Sequence, residues 1–345
     1  GPLPYVFGLA SSPSLGAVPA LKAMLLRGLV RVALAWRLDG DPTVAAVCSG
    51  ALAYLPSLQQ LRPDFSLMPM GYTALEAGAP GFFRALAGRI SGAEALVACD
   101  SPSASGQLME GLVQAGARPR SMFLAQGPAL DPFVVQYGSG GGAADYALSA
   151  VQWHRGVQYS DPFFGSAARY AAEFAAATGG AAIEDGAGAS AAALVLGVAV
   201  RRAFGGCSIS PEVLRLGDVG ALLFDPAAIT CNHSAPAAAA TAAAAAAAEQ
   251  GGGSGGGSGG AAAGVQALPA AAGLGLTGYQ LVMRELDEGR FETFYGPVEF
   301  NAQRRNVAKP TVTTQVQGGL VHVVMPLEAA DGLLMMPAPT AEGRK

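Results

Sequence analysis

Charged residues are scarce in this sequence: 13% of its 345 residues are Asp, Glu, Lys or Arg, against roughly 25% in an ordinary soluble domain. Lysine is scarcer still, with Lys22, Lys309 and Lys345 the only three among 21 basic residues. The net charge is −4, and without a clustered basic face the chain has no footprint for nucleic acid. Four cysteines, Cys48, Cys99, Cys207 and Cys231, are too few for a disulfide scaffold and carry no C-x-x-C spacing. His154, His233 and His322 have no second His, Cys or carboxylate at a metal-binding interval on a helix face, and Cys207, Cys231 and His233 have no fixed geometry, so no metal is expected. Paired carboxylates, an activated serine and a general-base histidine are likewise missing, which argues against an enzyme and against a cofactor. No apolar run reaches the about 20 residues of a bilayer span. The longest, Gly186–Val200, is closed by Arg201 and Arg202 and reads as a buried helix. The start at Gly1 shows no Met, charged n-region or apolar h-region, so a signal peptide is expected to be absent or already removed.

What the sequence has in excess is alanine and glycine, with 48 Gly beside 23 Pro. Much of that excess lies in Ala235–Gly264, an alanine tract running into GGGSGGGSGG, which cannot build a core and reads as a flexible insertion. Two motif matches are products of composition. Gly252–Gly256 reads G-x-S-x-G inside that tract, where no strand-turn-helix elbow forms. Gly138, Gly140 and Ala143 give G-x-G-x-x-A after the apolar Phe133–Tyr137, but no helix follows before the next apolar run, so dinucleotide binding is not expected.

Between Leu29 and Val151 a short apolar run, a turn and an amphipathic stretch recur. The runs are Arg31–Trp36, Phe65–Met70, Ala95–Cys99, Ser121–Ala125 and Ala147–Val151. Helices are predicted at Thr43–Tyr54, Pro80–Arg89 and Ser103–Ala115, with Asp41 and Ser103 as N-caps and Gly92 and Gly116 as terminators. Near-continuous apolar strands alternating with helices indicate a doubly wound parallel α/β sheet. Two Ala-rich helices, Phe163–Ala177 and Ala187–Phe204, follow. A helix at Tyr279–Glu288, a strand at Phe294–Asn301 and a hairpin, Thr311–Gln317 and Leu320–Pro326 turning at Gly318–Gly319, complete the pattern.

In an open parallel sheet ligands bind beyond the carboxyl ends of the strands. Those ends are Trp36 to Asp41, Gly71 and Tyr72, Asp100 to Ser103, Gln126 to Pro128, and Gln152 to Trp153. Their acids, hydroxyls, amide and indoles suit a small polar or zwitterionic ligand. The competing reading gives Trp36 and Trp153 to packing, and Asp39, Asp41 and Asp100 to solvated helix caps. Cys207 and Cys231 flank one irregular loop and are a candidate disulfide in an oxidising compartment. Cys48 and Cys99 read by default as small buried hydrophobes.

The strings YVFGLASSP, GLVRVALAW, ALVACD, DPFFGSAARYAAEF and FETFYGPVEFNAQRRNVAKPTVTTQVQGGLVHVVMP resemble the type I periplasmic binding proteins, specifically the branched-chain amino acid and amide receptors (leucine-binding-protein-like) of ABC-transporter uptake. The resemblance covers Tyr5–Phe204 and Tyr279–Pro339 and implies two doubly wound parallel-sheet lobes joined by a hinge. On that pattern residues 8–157 form lobe 2, 158–230 return as helices into lobe 1, 231–278 are the low-complexity insertion, and 279–345 supply C-terminal strands of lobe 1, hinge and tail. Tyr5–Phe7 resembles the hinge strand, so the front of lobe 1 is expected to be missing, leaving Ala187–Phe204 and the C-terminal strands without their sheet and with apolar surface exposed. The implied role is noncatalytic capture of an amino acid, amide or urea-like molecule, outside the cytoplasm, for an ABC permease. The alternatives are the sensing ectodomain of a cyclase- or kinase-type receptor, whose partner is its own membrane domain, and an α/β enzyme. The lobe 2 contribution carried over is Asp39–Thr43, including Asp41 and Thr43, with Asp100, Ser101, Gln126 and Gly127. Glu184–Ala189 departs from the family, which places an aromatic near the ligand there. Asp185 is the candidate contact in that segment, and specificity for an amino acid is left open.

Overall fold

The computed structural model describes residues 6–138, 142–203, 207–209, 229–231 and 278–339, with the side chains of 207–209, 229–231 and 278–281 outside the description. The insertion at Ala235–Gly264 lies outside the described residues. The chain divides into two units: Gly1–Ala191 with Glu292–Lys345, and Ala192–Phe291.

The first unit is built on a mostly parallel sheet. Its strands are β1 (Arg31–Arg37), β2 (Ser66–Tyr72), β3 (Ala95–Cys99), β4 (Ser121–Leu124), β5 (Leu148–Val151), β6 (Val312–Gln317) and β7 (Leu320–Met325), in the order β7-β6-β5-β4-β3-β1-β2. The first five are mutually parallel, whereas β6 runs antiparallel to β5 and β7 antiparallel to β6. Each of the five apolar runs in the sequence becomes a strand because both of its faces are covered. Val32 and Leu34 of β1 face one helical layer while Ala33 and Ala35 face the other; in β3, Ala95, Val97 and Cys99 face the first layer and Leu96 and Ala98 the second. Side chains alternate across a strand, so an all-apolar run serves two cores at once.

The first layer holds α1 (Val18–Leu26) and α2 (Pro42–Leu61), the second α4 (Phe82–Arg89), α5 (Pro102–Gln114) and α6 (Asp131–Tyr137), with the one-turn α3 (Ala74–Ala77) before α4. Asp41 caps α2 as expected, its carboxylate accepting from Thr43 N–H at 2.7 Å. The N-cap of α5 is Ser101 rather than Ser103, because Pro102 is pre-set for the first helical position and draws the start two residues earlier. α2 runs past the predicted end at Tyr54, through Pro56, to a buried anchor at Leu58. Phe133–Tyr137 is helical, so the glycine run from Gly138 follows a helix instead of a strand. The dinucleotide fingerprint fails for that reason, and Gly140 lies outside the described residues.

Gly50 fixes how closely α2 approaches the turn Pro13–Leu15. A Cβ there would fall 1.9 Å from the Ser14 carbonyl oxygen. Gly50→Ala is therefore expected to destabilise the fold by about 1–3 kcal/mol, the usual cost of overpacking. Chemical denaturation checks this; an unchanged midpoint would show that the turn gives way freely.

The hairpin β6–β7 corrects the expected domain division. Its turn is as predicted, Gly318 and Gly319 both having positive φ (59° and 81°). It does not belong to a separate lobe 1 sheet, however: Val312–Gln315 pair with Leu148–Val151, extending the same sheet, and Val312, Val316, Val323 and Val324 are buried. The C-terminal strands therefore do not lack a sheet. Helix α7 runs from Ala167 to Thr178, starting later than predicted because Asp161 holds the amides of Phe163 and Phe164 in a turn and Ser166 caps the helix. The predicted strand Phe294–Asn301 shrinks to Val298–Glu299, since Thr293 and Gly296 close a turn before it.

α8 spans Glu184–Ala203, long and apolar enough by length and composition to cross a membrane. Its first half packs instead: Ala187 and Ala191 are buried in a cluster with Trp153, Tyr170, Phe294 and Tyr295. Phe174 lies beside Gly186 and Tyr295 beside Gly188, each at a distance where a Cβ would make ordinary van der Waals contact. The second unit contains the rest of α8, an antiparallel pair Cys207–Ile209 with Ile229–Cys231, and α9 (Gly278–Glu288). Arg202 donates to the Arg290 carbonyl and lies over the Phe291 ring.

Cys48 and Cys99 are not two separate buried hydrophobes. They form a disulfide between α2 and the end of β3, with a Cα–Cα distance of 6.0 Å. Both side chains point into the same helical layer. For Cys207 and Cys231 the backbone register places the two residues directly opposite each other, and their side chains are outside the described residues.

Candidate functional site

The strand order places β1 and β3 side by side while the chain leaves them in opposite directions along the sheet, which makes the gap between their carboxyl ends the topological switch point. One polar cluster spans it. Arg37, the last residue of β1, places Nη1 3.6 Å from Asp100 Oδ1 and donates from Nε to Asp39 Oδ1 at 3.1 Å. Asp100, one residue beyond β3 and 3% exposed, also accepts from the Ser101 amide at 2.7 Å and from the Tyr72 hydroxyl at 2.9 Å. Asp39 accepts from the Ala74 amide at 3.1 Å. The three strands at the switch point each supply one end of this network.

The charges are set by these contacts. The Ala74 amide holds the Asp39 carboxyl below the usual carboxylate range against an opposing effect of burial, with the Arg37 guanidinium adding to the lowering. Burial first, and the Asp100 charge second, push the Tyr72 phenol well above its ordinary value, so it stays a neutral donor. Arg37 keeps donors beyond those aimed at Asp39 and Asp100, and its side chain is 29% exposed. The rim thus presents a braced guanidinium and an exposed carboxylate, with the buried Tyr72 hydroxyl holding Asp100 behind them.

Of the expected contacts, Asp39, Asp100 and Ser101 come together here. Asp41 and Thr43 are exposed on the adjoining helix start, and Trp36 is half-buried against the first helical layer. Gln126 is exposed. Gly127 is buried with φ 119°, and a Cβ there would meet the Phe133 ring at 2.6 Å, so it serves close packing. Trp153 is a packing residue: it is buried, donates from Nε1 to the Phe294 carbonyl at 3.3 Å, and meets Tyr170 edge-on. Asp185 is exposed on the first turn of α8, and among the described residues no hydrogen bond joins it or Gln126 to the Arg37 cluster. Arg37 and Tyr72 lie within the predicted rim segments but were not singled out. Their signal is a polar residue that closes an otherwise apolar strand.

A second polar cluster lies at the end of β5, where three distant stretches of chain cross. The Ser11 amide donates to Gln152 Oε1 at 2.8 Å, Gln152 Nε2 returns to the Ser11 carbonyl at 3.1 Å, and Ser11 Oγ donates to the Lys309 carbonyl at 2.9 Å. Lys309, 4% exposed, donates from Nζ to the Gln152 carbonyl and lies 4.4 Å from the centre of the Tyr295 ring. Glu184 accepts from the Gln152 amide at 2.9 Å. Asn306 ties the same stretches together, donating to the Leu9 and Pro297 carbonyls while accepting from the Glu299 and Ala308 amides. Burial pushes the Lys309 amine down to about 7, with Glu184 opposing the shift.

No family model matches the sequence, and no curated protein matches it. Solved structures do. An extracellular ligand-binding receptor from Rhodopseudomonas palustris matches with a TM-score of 0.54 at 12% identity, over 93% of this chain and 70% of its own. The leucine-binding protein LivK of Thermotoga maritima matches with a TM-score of 0.54 at 13% identity, over 93% and 67% respectively. This chain has the type I periplasmic-binding-protein fold. A further match with that fold is an ABC-transporter solute-binding protein of R. palustris in complex with benzoate, with a TM-score of 0.53 at 11% identity over 96% of this chain and 67% of that one. The chain spans about two thirds of the length of the two transport-type proteins.

Proposed function

We propose that this protein is a noncatalytic solute-binding module, exported from the cytoplasm to a periplasmic or extracellular site, which captures an amino acid, amide or urea-like molecule for an ABC-type permease. The observation that carries this reading is the braced Arg37–Asp100–Tyr72 cluster at the switch point of a sheet with this fold. Arg37 and Asp39 offer complementary charge to a zwitterion, and Tyr72 holds Asp100 and hence Arg37 in place. The Cys48–Cys99 bond supports an oxidising compartment. Among the solved neighbours of the fold are a leucine-binding protein and a solute-binding protein in complex with benzoate, so the fold accommodates small organic carboxylates, of which leucine is of the class proposed. In this reading the crossing of Ser11, Gln152 and Lys309 is where the chain bends as the protein closes on its ligand.

Isothermal titration and thermal-shift screening against amino acids, amides and urea test the proposal. At least one compound is expected to bind and to raise the melting temperature. Arg37→Met is expected to weaken that binding by about tenfold or more, since a hydrogen bond to a charged group is worth about 1.5–3 kcal/mol. Arg62→Met, which removes an exposed ion pair with Asp64 elsewhere, is expected to leave it unchanged. No response to any of the compounds would overturn the amino-acid and amide reading.

A further inference from the structure

The amino end of the parallel sheet, opposite the switch point, carries a groove of about 460 Å³ between α4 and α5. The sequence sets its shape. Phe83 of α4 lies against Gly111 of α5, where a Cβ would fall 2.3 Å from the ring, so the two helices meet closely there. Beyond that contact the helix ends and the turns into β3 and β4 present Ala87, Gly88, Ala93, Ala115, Gly116 and Ala117, which fill little space. A Cβ added at Gly88 or Gly116 would meet nothing within 4 Å.

The polar side chains of the groove are Arg84, Ser91 and Arg118, and among the described residues no carboxylate lines it. Both arginines are exposed, and neither enters an ion pair among the described residues. Glu94, which precedes β3 at this end of the sheet, is already held by the Val30 and Arg31 amides at 2.9 and 3.0 Å. In a chain of net charge −4, two unopposed guanidiniums on one groove make a local positive field that attracts anions.

We propose that this groove binds a phosphorylated polyol, either free or as the headgroup of an anionic lipid. Each guanidinium offers a planar fork of donors that matches phosphate oxygens, and such charge-assisted pairs are the strong ones. The Ser91 hydroxyl adds a further donor. An inorganic anion fills only a small part of the groove, which leaves room for an organic body over the alanines. Both helices end here, and the last carbonyls of a helix have no partner within it. They are acceptors for the hydroxyls of a glycerol or a sugar. The groove lies at the other end of the strands from Arg37, so this inference stands apart from the ligand-capture reading.

Two measurements on the full chain test it: calorimetric titration with glycerol 3-phosphate, and co-sedimentation with phosphatidylglycerol vesicles against phosphatidylcholine vesicles. At least one of the two phosphate probes is expected to bind, with glycerol and phosphatidylcholine inert. Arg84→Gln and Arg118→Gln are each expected to weaken that binding about tenfold, as for the loss of a hydrogen bond to a charged group, and added salt to weaken it further. Arg169→Gln, which removes an exposed pair with Glu173 on α7, and Arg37→Met at the switch point are expected to leave it unchanged. A groove ligand and a captured solute are thereby told apart. Heat from glycerol 3-phosphate without sedimentation supports a free ligand, and sedimentation with phosphatidylglycerol alone supports a headgroup. Binding of neither probe, or binding that survives both Arg84→Gln and Arg118→Gln, overturns the proposal. Inorganic phosphate binding as tightly as glycerol 3-phosphate overturns the assignment of a polyol body.

Discussion

Replacing Cys48 and Cys99 together by alanine, or reducing their bond, is expected to lower the unfolding free energy by about 4 kcal/mol, from the loop entropy of a link of this span. The two residues are 51 apart in sequence, and the bond joins α2 to the last residue of β3. In the unfolded chain the link closes a loop that contains all of β2 and the helices α3 and α4, so its loss releases a large ensemble. The local effect has the same direction. Cys99 immediately precedes Asp100, and Cys48 lies on the helix whose N-terminus Asp41 caps, so the bond also fixes the spacing of the two loops that frame the switch point. Guanidinium unfolding with and without reductant measures the first effect, and ligand affinity of the reduced protein the second. Two thiols titrating freely in the native, unreduced protein, or coincident unfolding curves, would contradict the expectation.

Asp161→Ala is expected to be of comparable size, about 3–5 kcal/mol, because three hydrogen bonds to a carboxylate vanish and one of the donors, the Phe294 amide, remains buried. Asp161 Oδ1 accepts from the amides of Phe163 and Phe164 at 2.8 and 2.7 Å, and Oδ2 accepts from the amide of Phe294 at 2.8 Å. The carboxylate therefore pins two stretches of chain separated by 133 positions to one another. Above it lies the aromatic cluster, in which Tyr170 stacks on Phe294 with centroids 4.1 Å apart and Phe164 meets both edge-on. The near-ultraviolet circular dichroism of Trp153 and its tyrosine neighbours reports directly on that cluster. Asp161→Asn should retain part of the stability, since its amide keeps one acceptor but turns a donor toward an N–H. A loss under about 1 kcal/mol in the alanine variant would mean that water replaces the carboxylate.

The parallel core was legible because its signal is local. Ala95–Cys99 and the other apolar runs must be covered on two sides, and that requirement is written in consecutive residues. The disulfide was not legible, although the information was present: Cys48 shares a helical face with Val44 and Ala51, and Cys99 shares a strand face with Val97, so both point into one layer. What sequence spacing lacks is the distance between α2 and β3, which only the packed layer supplies. The hairpin at Gly318–Gly319 was predicted from its own turn chemistry, yet its partner was misassigned, because alternating residues say that a strand pairs and not with which edge. The rule about strand ends brought Asp39, Asp100 and Ser101 to one place in the fold, which their hydrogen bonds and ion pairs show. Trp153 lies at the same kind of strand end, but the chain turns beyond β5 and buries the indole against Phe294. Arg37 and Tyr72 meet through Asp100, a relation that no single position displays.

The late hairpin has a consequence for how the protein is made. β5 ends at Val151, and the strand that covers its edge, β6, begins at Val312. A ribosome working at about 5–20 residues per second therefore leaves that edge bare for several seconds or more, with the low-complexity stretch emerging in between. An unpaired strand edge is a template for other chains. Biosynthesis should thus produce a nascent state whose β5 edge stays unpaired until the C-terminal hairpin emerges.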